Sequence, residues 1–136
     1  MAHDYPLFGP LSPRTLNRHA GDGLLVSWGF DPETQRTLSR RVTPIDQARW
    51  AREVIDAYPL EMLQRGRSGA VQVRIVVGPD GAPTDCIPDE AFSTAGFTES
   101  ACTAMIRYAR FEPALDADGK PVTGFWATSI TYRTRR

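Results

Sequence analysis

Ala70-Val71-Gln72-Val73-Arg74-Ile75-Val76-Val77-Gly78-Pro79-Asp80-Gly81 is the clearest structural signal in this 136-residue chain. Val71, Val73, Ile75 and Val77 fall on one side and Gln72, Arg74 and Val76 on the other, the two-residue period of a strand with one buried face. Gly78-Pro79-Asp80-Gly81 is a strong turn, so the chain must reverse there. The return segment, residues 82–88, carries Pro83 and Pro88. Neither can donate to a ladder, which predicts a strand at the margin of the sheet.

Downstream, Thr98 can cap a helix over residues 99–110, with Ala101, Cys102, Met105, Ile106 and Ala109 on its inner face. Phe111 and Pro113 end it. Asp116-Ala117-Asp118-Gly119 turns the chain into a last, β-rich strand over residues 122–133. Upstream, Pro59 disfavours helix at Tyr58 and opens a short second helix, residues 60–65, closed by Gly66. Before it, Thr43-Pro44-Ile45-Asp46 predicts a helix start, with Thr43 as cap, Pro44 where no N–H is needed, and Asp46 reaching back. That helix runs to about Ala57, with a stripe of Ala48, Ala51, Ile55 and Tyr58 widened by Trp50 and Val54. Further back, Leu24, Val26, Trp28 and Phe30 alternate as a strand. Asp31-Pro32-Glu33-Thr34 suits a type I turn and residues 35–42 can return, which makes a hairpin over 24–42. Residues 1–23, with three prolines and three glycines, read as an extended arm.

Apolar residues make up 41% and charged residues 24%, the composition of a globule able to bury a core. Formal net charge is zero, so no long-range field favours nucleic acid or anionic lipid. Lys120 is the only lysine; the arginine excess reads as coding bias in preference to a phosphate site. No apolar run approaches the ~20 residues needed to cross a bilayer. Residues 1–13 lack the apolar centre of a secretory signal. The expectation is a cytosolic chain, or one trimmed after such a segment, with no direct membrane insertion.

Catalytic chemistry is sparse. His3 and His19 have no partner at metal-ligand spacing and no nucleophile beside them. Asp80, Asp116 and Asp118 read as turn formers and not as an acid–base couple. Gly78-Pro79-Asp80-Gly81 is no phosphate loop, because proline removes a donor and no helix comes after it. These readings point to a binding protein: not an enzyme, with no metal and no cofactor. Cys86 and Cys102 allow two states. A bond between them would close a 16-residue loop, worth about 3 kcal/mol by chain entropy; otherwise both are reduced thiols packed as small apolar groups. Zinc would need ligands that are absent.

From Tyr58 onward the chain resembles the carboxy-terminal domain of TonB-type energy transducers. The resemblance runs through Tyr58-Pro59, Leu60-Glu61-Met62-Leu63-Gln64-Arg65-Gly66, the strand from Gly69 to Val77, and Asp80-Gly81. It continues through the helix, Arg110-Phe111-Glu112-Pro113-Ala114 and Asp118-Gly119-Lys120-Pro121-Val122. The order and spacing of these pieces carry it. It implies an α+β fold: a three-stranded antiparallel sheet with two helices on one face, here preceded by the extra hairpin and helix. The chain then divides into an arm (1–23), a hairpin-and-helix extension (24–57) and the TonB-like domain (58–136). The cysteines resemble those of a family variant with one on the second strand and one in the helix, which favours the Cys86–Cys102 disulfide and a periplasmic location.

The resemblance also implies a function: capture of an extended peptide, the TonB box of an outer-membrane transporter, by strand addition in energy-coupled transport. With residues 70–77 central and the proline-bearing strand at one edge, the last strand forms the other. Ala127, Thr128, Ser129, Ile130, Thr131 and Tyr132 are then the expected peptide-binding residues, since an open edge presents unpaired N–H and C=O groups. Arg133, Arg135 and Arg136 can steer an acidic peptide or simply be solvated. The hairpin can cover that edge, and so regulate binding, or extend the sheet. Thr98 stands where the family usually has aspartate, and Pro83 and Pro88 interrupt a strand usually rich in valine. The membrane anchor and proline-rich spacer of such transducers are not in this sequence. The expectation is therefore a domain cut from a longer anchored protein, or a soluble relative. The alternative is a structural or self-associating domain of the same fold, a possible homodimer with no energy-transducing role.

Overall fold

The computed structural model of the chain describes residues 7–10, as backbone, and residues 30–133. Its centre is β3 (Gly69–Val77), in which Val71, Val73, Ile75 and Val77 are all buried, as the alternation predicts. Burying each such side chain contributes about 1.5–3 kcal/mol. The Gly78–Gly81 turn is closed by Gly78 and Ala82 across its mouth (3.0 Å) and by the Asp80 carboxylate accepting from the Ala82 N–H (3.0 Å). Gly81 sits at φ +86, and any Cβ there would collide with the Phe111 carbonyl.

The return strand β4 (Pro83–Pro88) forms one margin of the sheet, consistent with its two prolines. Where it stops, residues 89–94 continue the seal on β3. The N–H groups of Asp89 and Thr94 donate to Gln72 and Ala70 carbonyls (2.8 and 2.7 Å). The Ser93 and Thr94 hydroxyls accept from the Gln72 and Ala70 N–H groups (3.1 and 3.0 Å). On the other side β3 pairs along its whole length with β8 (Gly124–Tyr132), from Gly69↔Tyr132 to Val77↔Gly124. The expected three-stranded antiparallel arrangement is thus present, in the order β8-β3-β4. A fourth strand, β1 (Leu7–Pro10), lies antiparallel against β8.

Helices cover one face. We label as α1 Pro32–Arg36, α2 Gln47–Asp56, α3 Leu60–Gln64 and α4 Thr98–Tyr108. Trp50 and Val54 of α2 and Ala101, Ala104 and Met105 of α4 join the buried valines of β3 in one core. Short ladders tie the connections together: β2 (Thr43–Pro44) with β5 (Phe111–Glu112), and β6 (Ala114–Leu115) with β7 (Pro121–Val122).

Four sequence expectations need correction. Asp31-Pro32-Glu33-Thr34 opens a helix and not a hairpin turn: the Asp31 carboxylate accepts from the Glu33 N–H (3.3 Å) and the Thr34 hydroxyl (2.8 Å). Residues 35–42 form no return strand, only a bridge from Arg40 to Leu115, while positions 24–29 of the expected hairpin lie outside the described residues. Thr43 does not cap α2; it pairs with Glu112, and the helix starts after Asp46, held at φ 51. On α4, Phe97 and not Thr98 occupies the capping position, and Ile106 turns out to solvent while Ala104 turns in.

Candidate functional site

The six expected peptide-binding residues all lie on β8 but divide into two sets. Thr128, Ile130 and Tyr132 face the helices and are buried; Ala127, Ser129 and Thr131 lie on the opposite face, half-buried. Their backbone groups divide the same way. In an antiparallel pair, opposed residues either exchange both hydrogen bonds or none. Ala70 and Gln72 spend their backbone groups on residues 89–94, so Val71 and Val73 bond β8, and their register partners are Ile130 and Thr128. Ile130, Thr128 and, by the same alternation, Tyr132 are committed to β3. Ala127, Ser129 and Thr131 direct their N–H and C=O groups away from it.

The expectation that this outward row is open is corrected by β1. Leu7 stands opposite Thr131, Phe8 opposite Ile130, Gly9 opposite Ser129 and Pro10 opposite Thr128. Ser129 and Thr131 point outward, so Gly9 and Leu7 are the residues that bond them, and Pro10 directs its missing donor elsewhere. The sequence of residues 7–10 carries no alternation that could have revealed this strand.

Aromatic rings brace β8 at both ends. Trp126 lies 5.3 Å from Phe111 and 6.2 Å from Trp50, centroid to centroid. Tyr132 lies 5.3 Å from Tyr58 and 5.6 Å from Phe97. The Tyr132 hydroxyl donates to the Val54 carbonyl (3.4 Å), and burial pushes its pKa well above the usual phenol range.

The other named residues fall into place around this strand. Cys86 of β4 and Cys102 of α4 form a disulfide, with Cα atoms 5.4 Å apart. Arg133 is exposed just past β8; Arg135 and Arg136, like His3 and His19, lie outside the described residues. A sequence reading missed Arg40, whose guanidinium donates to the Pro113 carbonyl (2.8 Å) and pairs with Glu112 (2.9 Å).

A groove of about 410 Å³ runs between α2 and the end of α4, lined by Ile45, Asp46, Arg49, Trp50, Glu53, Tyr108 and Arg110. Its lining mixes charges of both signs with the Trp50 and Tyr108 rings. Among the described residues no three His, Cys, Asp or Glu side chains gather as metal ligands, and no helix is long and apolar enough to cross a membrane.

Residues 56–134 match the family model of the Gram-negative bacterial TonB protein C-terminal domain, 79 of the 136 positions. No curated protein matches the chain.

Proposed function

The chain belongs to the TonB C-terminal domain family, and from that premise we propose that it is a periplasmic domain that captures the TonB box of an outer-membrane transporter by strand addition. The family's domains are non-enzymatic protein-interaction modules of transport energy coupling, periplasmic in general. In our reading the capturing unit is residues 58–136 and the recognition strand runs over Ala127, Thr128, Ser129, Ile130, Thr131 and Tyr132. Within it Ala127, Ser129 and Thr131 do the bonding.

One observation supports this reading above the rest: β8 accepts an extended antiparallel segment over Thr128–Thr131, namely the chain's own β1. The side of β8 away from β3 is therefore straight and regular enough to carry a ladder. Three outward residues offer up to six backbone hydrogen bonds, each worth about 0.5–1.5 kcal/mol net. Together that is about 3–9 kcal/mol before an association cost of about 4 kcal/mol or more, so backbone bonding alone gives roughly millimolar binding or weaker and side-chain contacts must supply the rest. Backbone bonding is indifferent to sequence, so selectivity falls to guest side chains against Ala127, Ser129 and Thr131.

The test is a titration of the isotope-labelled chain with a synthetic TonB-box peptide from a candidate transporter. We expect amide resonances along residues 127–132 to shift saturably; resonances unmoved at saturating peptide refute the role. The register of β1 also favours a second reading, self-association, because a Leu7–Pro10 segment of another copy would fit the same row. A single monomeric species in sedimentation across a wide concentration range removes that reading.

A further inference from the structure

We propose that Leu7–Pro10 is a built-in competitor: it occupies the outward groups of Ser129 and Thr131, and a guest strand binds by displacing it. This rests on the strand-addition reading and adds its regulation. As described, β1 is four residues long against nine for β3, and among the described residues Leu7 and Gly9 are the ones that bond β8. Gly9 is also the residue type that loses most freedom on being held extended. The described pairing runs from Leu7↔Thr131 to Pro10↔Thr128, so among the described residues β1 engages two outward residues, and a guest that also reaches Ala127 engages a third.

What β1 lacks in length it recovers through attachment. Phe30, the first described residue after it, is buried with its ring 5.4 Å from Phe125 of β8. The segment is thereby tethered to the strand it covers, at an effective concentration of about millimolar. A tethered competitor lowers apparent affinity by the fraction of molecules left uncovered. If about a tenth are uncovered, a guest binds about tenfold more weakly than to the bare edge. Among the described residues the opposite flank of the sheet is built differently: β4 and residues 89–94 come directly after β3 in sequence, and the Cys86–Cys102 bond fixes β4 to α4.

The experiment compares amide hydrogen exchange in the full chain and in Gly9→Pro, which removes the donor facing Ser129. Ser129 and Thr131 should be protected in the full chain and exchange at least tenfold faster in the variant. Thr128 and Ile130, bonded to β3, should stay protected in both and report that the fold is intact. A chain lacking residues 1–12 should behave like Gly9→Pro, and adding a synthetic peptide of residues 5–12 should restore protection. Equal protection of Ser129 and Thr131 in all forms overturns the proposal. A TonB-box peptide should bind Gly9→Pro about tenfold more tightly than the full chain; equal affinity also overturns it. If that peptide binds neither form while the residue 5–12 peptide still restores protection, the cover stands and the transporter reading falls.

Discussion

Gly81 shows how one residue can hold together elements far apart in sequence. Its φ of +86 ends the turn after β3, and its carbonyl accepts from the Phe111 N–H at 3.2 Å. Gly81→Ala therefore meets both a disfavoured backbone and the Phe111 carbonyl, and should cost about 3 kcal/mol in chemical denaturation. Tyr132 carries a pH signature. Burial raises its pKa in the folded chain, so above about pH 10 the unfolded chain loses a phenolic proton that the folded chain keeps. Its contribution is fully present below pH 10 and falls away as pH climbs beyond it. Urea titrations from pH 9 to 11 should show stability declining, and Tyr132→Phe should flatten that decline. An unchanged slope would mean the hydroxyl is not shielded as described.

At the scale of elements, those with a strong side-chain pattern were legible and those made by distant backbone pairing were not. The alternation of β3 and the prolines of β4 identified their places directly, because burial and missing donors are written in side-chain identity. Asp31-Pro32 misled because a type I turn and the first turn of a helix share backbone angles, and only the conformation of the residues after Thr34 separates the two. Thr43-Pro44 misled because a ladder with Phe111–Glu112 took precedence over local capping, and Ile45 then donates to the Arg110 carbonyl at 2.8 Å. Of the candidate site, the strand itself could be read from sequence. The partition into outward Ala127, Ser129 and Thr131 and inward Thr128, Ile130 and Tyr132 could not, since it follows from the pairing with β3, whose Ala70 and Gln72 groups are taken by residues 89–94. The disulfide belongs to this scale too. It joins β4 to α4 across a separation of 16 residues, and replacing both cysteines by alanine should cost about 3 kcal/mol, read as a lower denaturation midpoint. A midpoint unchanged by the double replacement would show that packing alone holds α4 to the sheet.

At the scale of the whole molecule, the family match begins at residue 56, yet the core does not begin there. Val42, Trp50 and Val54 lie in the same apolar cluster as Val71, Ile130 and Met105. A chain starting at residue 58 loses those three buried side chains and should be destabilised by about 5 kcal/mol or more relative to the full chain. Equal thermal stability of the two would show that the preceding segment is dispensable. The same segments position β8: α2 receives the Tyr132 hydroxyl, Trp50 lies against Trp126, and β1 runs along the strand's far side. β8 is thus framed by parts of the chain that precede the family domain. Isotope-filtered nuclear Overhauser spectroscopy on the complex with a TonB-box peptide tests the central claim most directly. Cross-strand peaks should connect the peptide to Ala127, Ser129 and Thr131 in antiparallel order. Peaks confined to the α2–α4 groove, or none along β8, would contradict it.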